Sequence, residues 1–350
     1  MPLISTEIQQ NGFTEHSEGD IKSQAGSNGL RQPSLSSSET SIDRLSREFS
    51  AIIRPKSKTY EPDDEVDDEI VQEIRRRVLE TANRHKEQFD EIDIQWIRET
   101  DDMIFRNILV FRDNHPKHVC PEFMYSSVHD AIASTLKWRR DFGINRVRDE
   151  DIPKEFLNAK GALFYTGTDG RLYVYVKARK YRKFSNVWVD TSIRFALHEI
   201  EKWIKEFSYK HKHGVYDLRP VIICDGQGTG MAQVDLKNFF VGRGIFLNHY
   251  PRTFKEVWIY GMPWWAKPFV TIALKALPTY VTDFVKLVDT ESMIRDVGAE
   301  NVPQSLGGTM TEVYTQPPAI TATVEEVGRQ IGASRSEIKR LKEHLRSIAE

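Results

Sequence analysis

The residue types that could carry chemistry are present but scattered. Gly226, Gly228 and Gly230 follow the apolar run Val221–Cys224, as a phosphate-cradling loop would. The dinucleotide pattern needs its third glycine at position 231, where Met231 stands, so the stretch reads as a turn. His211 and His213 in KHKHG form a pair with no third ligand in sight, and a polar loop is favoured over zinc. His198, Glu199 and Glu201 share one long charged helix and need no catalytic role. HExxH, GxSxG and the phosphate-loop pattern are absent. Cys120 and Cys224, the two cysteines, are too far apart for a disulfide framework or a zinc site and imply a reducing compartment. No constellation activates a nucleophile. The sequence predicts no enzyme, no metal and no catalytic cofactor.

What could position a ligand instead is the stretch Val257–Val288, the longest apolar region of a chain otherwise rich in charge. Phe254–Tyr260 reads as a strand, Gly261 and Pro263 break it, and Trp264–Leu277 reads as a helix stopped by Pro278. A membrane span needs roughly 20 consecutive apolar residues. Lys267, Pro268, Lys275 and Pro278 interrupt this run, which leaves a helix apolar on more than one face, either core or a surface that meets lipid.

The formal net charge of −2 and the pI near 6.6 provide no global field for nucleic acid, which is expected as no partner. The N-terminus lacks the basic start and apolar core of a secretory signal, and myristoylation and prenylation motifs are absent. Membrane contact is therefore expected to be peripheral, from the cytoplasm.

Five regions follow. Residues 1–60 form a Ser-rich tail too polar to offset its ordering entropy and are expected to be disordered; within it Ile42, Leu45, Phe49 and Ile52 fall at helical spacing. Residues 61–145 read as helical, with a helix starting near Asp68, a second over Asp101–Arg112 and a third over Ser127–Phe142 ended by Gly143. Residues 146–310 alternate: strand Arg171–Lys177, helix Val189–Tyr209, strand Arg219–Asp225, helix Asp235–His249, strand Phe254–Tyr260, the apolar helix, strand Asp283–Val288 and helix Glu291–Val297. Such alternation implies right-handed crossovers and a largely parallel sheet. The fold class is thus α/β, with a helical N-terminal subdomain. Residues 311–322 are a Pro-containing linker. Residues 323–350 read as a C-terminal helix whose Val324, Val327, Ile331, Ile338, Leu341, Leu345 and Ile348 fit a heptad frame. That stripe either makes a coiled coil, with a second copy or another partner through 336–350, or folds back on the domain.

TDDMIFRNILVFRDNH at Thr100–His115 with LKWRRDFGI at Leu136–Ile144, then VIICDGQGTGMAQVDL, FLNHYPRTFKEVWIYGMPWW and AENVPQSLGGT at Ala299–Thr309, resemble in order the CRAL-TRIO (Sec14-like) lipid-binding family. The resemblance runs from about Glu69 to Thr309. It implies a sheet flooring an apolar cavity that holds one phospholipid or other hydrophobic ligand, closed by a gate helix at Trp264–Leu277 that opens at membranes. The activity implied is lipid binding and transfer, and the alternative is a lipid-sensing scaffold that recruits partners through its C-terminal helix.

On that resemblance the lipid-binding candidates are Tyr173, Tyr175, Ile223, Phe246, Tyr250, Trp258, Phe269, Ile272, Ala273, Leu277 and Phe284. Trp264, Trp265 and Val270 are candidates for bilayer contact, since Trp favours the interface. Members that bind phosphatidylinositol carry an acidic residue after HYP and a Lys at the start of the strand after the gate. Arg252 and Phe284 stand there here, with Lys286 two residues further on, so an inositol headgroup is disfavoured. Arg252 and Lys286 remain candidates for phosphate contacts. The basic run KARKYRK, Lys177–Lys183, reads as a solvated or membrane-facing patch ahead of a headgroup site.

Overall fold

In the computed structural model the N-terminal part of the chain folds through helix ends that its sequence specifies. The structure describes residues 66–115, 119–168, 170–181, 185–206, 209–210, 216–217, 219–311 and 321–349; the tail at 1–60, most of the linker and the pair His211 and His213 lie outside them. Helix α1 (Asp68–Arg84) starts where the Asp67 carboxylate accepts the Glu69 N–H, and α2 (Glu91–Glu99) and α3 (Asp102–Asn114) follow. Helix α4 (Pro121–Phe142) has proline at its first turn, where no N–H is missed, and ends at Gly143, whose φ of 76° is the left-handed conformation glycine adopts without strain. Their apolar faces close one core that includes Ile74, Ile97, Ile104, Phe105, Ile108 and Ile132.

After the short α5 (Lys154–Asn158) comes a five-stranded sheet in the order β1 (Ala162–Thr166), β2 (Leu172–Lys177), β5 (Val221–Asp225), β6 (Glu256–Tyr260), β7 (Val285–Val288). β1 pairs antiparallel with β2, and the other three pairings are parallel. The sequence predicted the parallel strands, and β1 adds an antiparallel edge. A two-residue ladder joins β3 (Tyr209–Lys210) to β4 (Tyr216–Asp217). The crossovers carry α6 (Asn186–Glu206), α7 (Leu236–His249) and then α8 (Lys267–Lys275) with the single turn α9 (Thr279–Thr282). Because the parallel strands are added in one direction, right-handed crossovers put α6, α7 and α8 on the same face of the sheet. Phe164 meeting Trp203 of α6 at 4.7 Å with the rings tilted, and Val257, Ile259 and Val285 packing with Leu274 of α8, mark that face.

The opposite face carries Tyr173, Tyr175, Val221, Ile223 and Trp258, all fully buried against α10 (Thr290–Val297) and the loop that follows it. Met293, Val302 and Leu306 complete this core. Gly308 lies so close to the Val302 carbonyl that a Cβ would sit 2.0 Å from its oxygen, so no side chain fits there.

The C-terminal region departs from the single helix expected. It is a hairpin of α11 (Val324–Gln330) and α12 (Arg335–Ala349), turned at Gly332 with φ of 75° and restarted at Ser334, whose hydroxyl and N–H both meet Glu337. Gly328 lets the two helices close, with Ile338 and the Trp188 ring at its Cα. Val324, Val327, Leu341 and Leu345 are buried against Phe156, Ala159 and Trp188. The heptad stripe is therefore covered by the chain's own domain. Of the two arrangements expected for 336–350 the structure has the folded-back one: Gly332 interrupts the heptad frame, and the domain covers much of the apolar face. Among the described residues no helix is long and apolar enough to cross a membrane.

Candidate functional site

The two faces of the sheet are filled differently. On the α10 side Val221, Ile223 and Asp225 of β5 and Trp258 of β6 are buried, with Glu256 and Tyr260 at the two ends of β6 partly so; on the α6–α8 side Ile222, Cys224, Val257 and Ile259 of the same two strands are all only partly buried, although helices cover them. Helix α7 buries none of its residues and α8 only Leu274, though both are rich in Phe, Ile, Leu and Val. Apolar helices over an apolar sheet normally interlock to interior density. Here Leu274 of α8 packs on the sheet, but much of the apolar surface of both helices stays only partly buried. Cys224 shows the consequence: surrounding protein pushes its thiol up to about 11 by desolvation, yet part of its side chain touches no protein. Protein surrounds Cys224 without covering it completely.

The structure divides the lipid-binding candidates. Tyr173, Tyr175, Ile223 and Trp258 point to the α10 side, packed in the closed core and away from α8. Phe246 and Tyr250 lie on the α6–α8 side with Leu197, Ile200 and Ile204, and Phe246 meets Phe254 at 5.5 Å. Phe269 stands edge-on to Trp265 at 6.5 Å. Val270 and Leu277 pack inward with Leu274, Ala273 is half-buried, and Ile272 is 48 % exposed. Val270, expected toward a bilayer, and Ile272, expected toward a cavity, have thus exchanged sides. The reason is phase: residues 264–266 form a tighter 3-10 turn and the α-helix begins only at Lys267. Trp264 is 73 % exposed and Trp265 half-buried.

The charged candidates have protein partners. Arg252 donates to Asp113 Oδ2 from Nε at 3.0 Å and from Nη2 at 2.5 Å, and burial lowers its guanidinium to about 10. Its guanidinium and that of Arg219 both lie over the Phe284 ring, 5.6 and 5.7 Å from its centroid. Lys286 donates to Glu256 at 2.8 Å on the α10 side. The residues that sequence reasoning missed are Val257, Ile259 and Met262, which pack with α8, and Ile222 and Cys224, which pair with Val257 and Ile259 on the same face. The signal lay in EVWIY: Glu256, Trp258 and Tyr260 carry polar tips and share one parity, while Val257 and Ile259 are wholly aliphatic and share the other.

The HYP motif is a joint between the helical subdomain and the sheet. His249 stacks on Trp138 of α4 at 4.1 Å and lies within 3.3 Å of the Thr135 hydroxyl, while Arg106 of α3 donates to Thr253 at 2.9 Å. Arg139 of α4 donates to Asp93 at 2.9 Å and through both terminal nitrogens to Glu201 at 2.6 and 2.9 Å. Tyr250 donates its hydroxyl to the same Glu201 at 2.6 Å. Burial, then Glu201, raises that phenol well above its ordinary value.

Burial, and then the Arg139 charge, lower His249 from 6.5 to about 4. Between those values an unfolded chain binds a proton that the fold refuses, so stability is lost as pH falls through this window. Urea unfolding of His249→Gln should show a smaller loss of stability from pH 6.5 to 4 than the native chain, whatever its offset at pH 7. Parallel pH profiles would remove His249 from the account.

The family model for the CRAL/TRIO domain matches residues 158–308. That span starts just before β1 and ends with Gly308, so it holds the whole five-stranded sheet, its crossovers and the closing loop. Among solved structures, the crystal structure of Sfh5 is 14 % identical to this chain; the match covers 55 % of this chain and 73 % of that one, with a TM-score of 0.44.

Proposed function

We propose that this chain is a CRAL-TRIO protein that binds one lipid or similar hydrophobic molecule between the sheet and helices α7 and α8, and carries it between membranes without covalent chemistry. The observation that supports this reading most is Cys224, deep in the fold yet incompletely covered by protein. The neighbours Ile222, Val257 and Ile259 would supply the apolar floor, with Phe246, Phe269 and Ala273 above. An acyl chain leaves a bilayer only for surroundings equally dry, at about 0.8 kcal/mol per methylene. A floor of aliphatic side chains in a water-excluding fold is of that kind.

The gate in this reading is α8 with the turn at 264–266. Its inner side packs on the sheet through Val270, Leu274 and Leu277, with Leu274 the one buried residue of the helix, and segments with few buried contacts open at low cost. Opening would expose apolar surface, tolerable at a bilayer and unfavourable in water, so it would be coupled to membrane contact led by Trp264 and Trp265. The protein would act from the cytoplasm as a peripheral membrane protein. MPWW at Met262–Trp265 and the run FVKLV at Phe284–Val288 resemble the CRAL-TRIO domain of motile sperm domain-containing protein 2, and we place the chain in that branch. The scaffold alternative loses support because its recruiting helix is folded onto Phe156 and Trp188.

Native mass spectrometry of the purified chain should show one lipid per protein, and vesicle-to-vesicle transfer of the same lipid class should exceed the spontaneous rate. A bare polypeptide mass with no transfer would sink the reading, and retention without transfer would turn it into sensing.

A further inference from the structure

Parallel strands in register bring their C-terminal ends to one edge of a sheet. Here Lys177 pairs with Asp225 and Asp225 with Tyr260, so the turns leaving β2, β5 and β6 lie side by side. β1 runs the other way, and the Lys177 N–H donated to the Gly161 carbonyl at 2.8 Å brings Lys160 to the same edge. The turns touch one another. Arg179 Cδ lies 3.5 Å from where a Cβ on Gly228 would sit, the Gln233 amide donates to the Arg179 carbonyl at 3.4 Å, and Gly226 abuts the Met262 backbone.

Four cations, Lys160, Lys177, Arg179 and Lys180, thus share an edge with Met231 and Trp264, which are 59 % and 73 % exposed. Asp225 pairs with Arg179 at 3.0 Å and offsets one charge, and Asp235 nearby accepts the Tyr181 hydroxyl. Lys177 lies over the Tyr175 ring and Lys180 donates to the Ala159 carbonyl. The Lys180 ammonium is held below its ordinary value, by burial and then by Lys177, Arg179 and Lys160, as cations crowded together require.

We propose that this edge docks the protein on anionic phospholipid bilayers, with the four cations facing lipid phosphates and carboxylates and with Trp264 and Met231 entering the headgroup layer. Cations set beside isolated exposed apolar side chains suit a deformable anionic surface. A folded acidic partner would need a packed apolar centre of matching shape. The proposal goes beyond the cargo reading and shares with it the membrane as destination and Trp264 as a contact. Nothing in it requires that a lipid be held inside.

Co-sedimentation of the full chain with phosphatidylcholine vesicles, with and without about one third phosphatidylserine, tests it. Each cation near such a surface strengthens binding about fivefold. Lys177→Gln with Lys180→Gln should therefore weaken binding to the anionic vesicles about thirtyfold, with unaltered melting and unaltered lipid content by native mass spectrometry. Lys160→Asn with Lys177→Gln is the second variant should the first melt early, and aspargine suits the left-handed backbone at position 160, where φ is 51°. Raising salt from 0.1 M to 1 M, which shortens the screening length from about 10 Å to about 3 Å, should release the native chain. Equal binding to both vesicles, binding that survives high salt, or native-level binding by a folded variant overturns the proposal. If anionic docking holds while the purified chain carries no lipid, the cargo reading falls and this one stands.

Discussion

Replacing Arg139 by methionine is expected to lower the stability of the fold by about 3–5 kcal/mol, the range found when one partner of a buried ion pair is removed. At position 139 the effect should reach the upper part of that range. Its guanidinium and the Asp93 carboxylate are almost wholly buried, at 2 % and 1 % exposure, and Glu201 is 12 % exposed. Methionine would fill much of the space but leave two carboxylates facing each other with no cation between them. The loss is expected to be larger than a cavity of similar size would cause, because charge is stranded as well as volume. Neutralising the acids isolates the electrostatic part: Arg139→Met with Asp93→Asn and Glu201→Gln should recover at least half of what Arg139→Met loses. Chemical denaturation of the single and triple variants measures both. A single variant within about 1 kcal/mol of the native chain, the level of an exposed ion pair, or a triple variant no better than the single, would show that the network does not hold the subdomains together. The consequence for function follows from position. Arg139 on α4 and Glu201 on α6 meet Tyr250 just after α7, so the network fixes the C-terminal end of α7, one of the two helices over the proposed binding site.

Much of this arrangement was legible in the sequence, and the parts that were not have a common cause. The order of strands and crossover helices followed from turn residues and from apolar runs such as VIICD, and Gly143 marked the end of α4. The antiparallel β1 was missed because ALFYT is short and its pairing with β2 is a matter of tertiary contact. Parity was harder. A strand buried on both faces is apolar throughout, so nothing in VIICD says that Ile222 and Cys224 face the helices while Ile223 faces α10. The same lack of contrast misled the phase of α8, where the 3-10 turn at Trp264 displaces the helical stripe. The C-terminal stripe shows the converse: its heptad spacing was right, but a heptad records only that a face is to be buried, and Trp188 and Phe156 turned out to bury it. Arg252, a candidate for phosphate contact by its place after HYP, pairs with Asp113, which lies 139 residues earlier in the chain and which no local pattern connects to it.

Introducing tryptophan at Cys224 and, separately, at its neighbour Ile223 should give opposite results, and the pair tests both the proposed binding site and the parity that defines it. Ile223 is fully buried among Tyr175, Trp258, Met293 and Leu306. Added volume there has nowhere to go, and overpacking a close-packed core costs about 1–3 kcal/mol or more. Cys224 is incompletely covered and, in the proposed function, borders the room a ligand takes, so the larger ring should enter with little change in melting temperature. What it displaces is the proposed cargo. If the indole occupies the room of two or three methylenes, at about 0.8 kcal/mol each, binding should weaken roughly thirtyfold, and the lipid retained through purification should fall below detection by native mass spectrometry. Ile223→Trp, where it folds, should retain its lipid. If Cys224→Trp were destabilised as much as Ile223→Trp, the α6–α8 side would be an ordinary packed core with no room for a ligand. A well-folded Cys224→Trp that still carried its lipid at the native level would move the binding site elsewhere. Ordinary melting together with an emptied protein is the result that a lipid seated between Cys224 and the helices α7 and α8 requires.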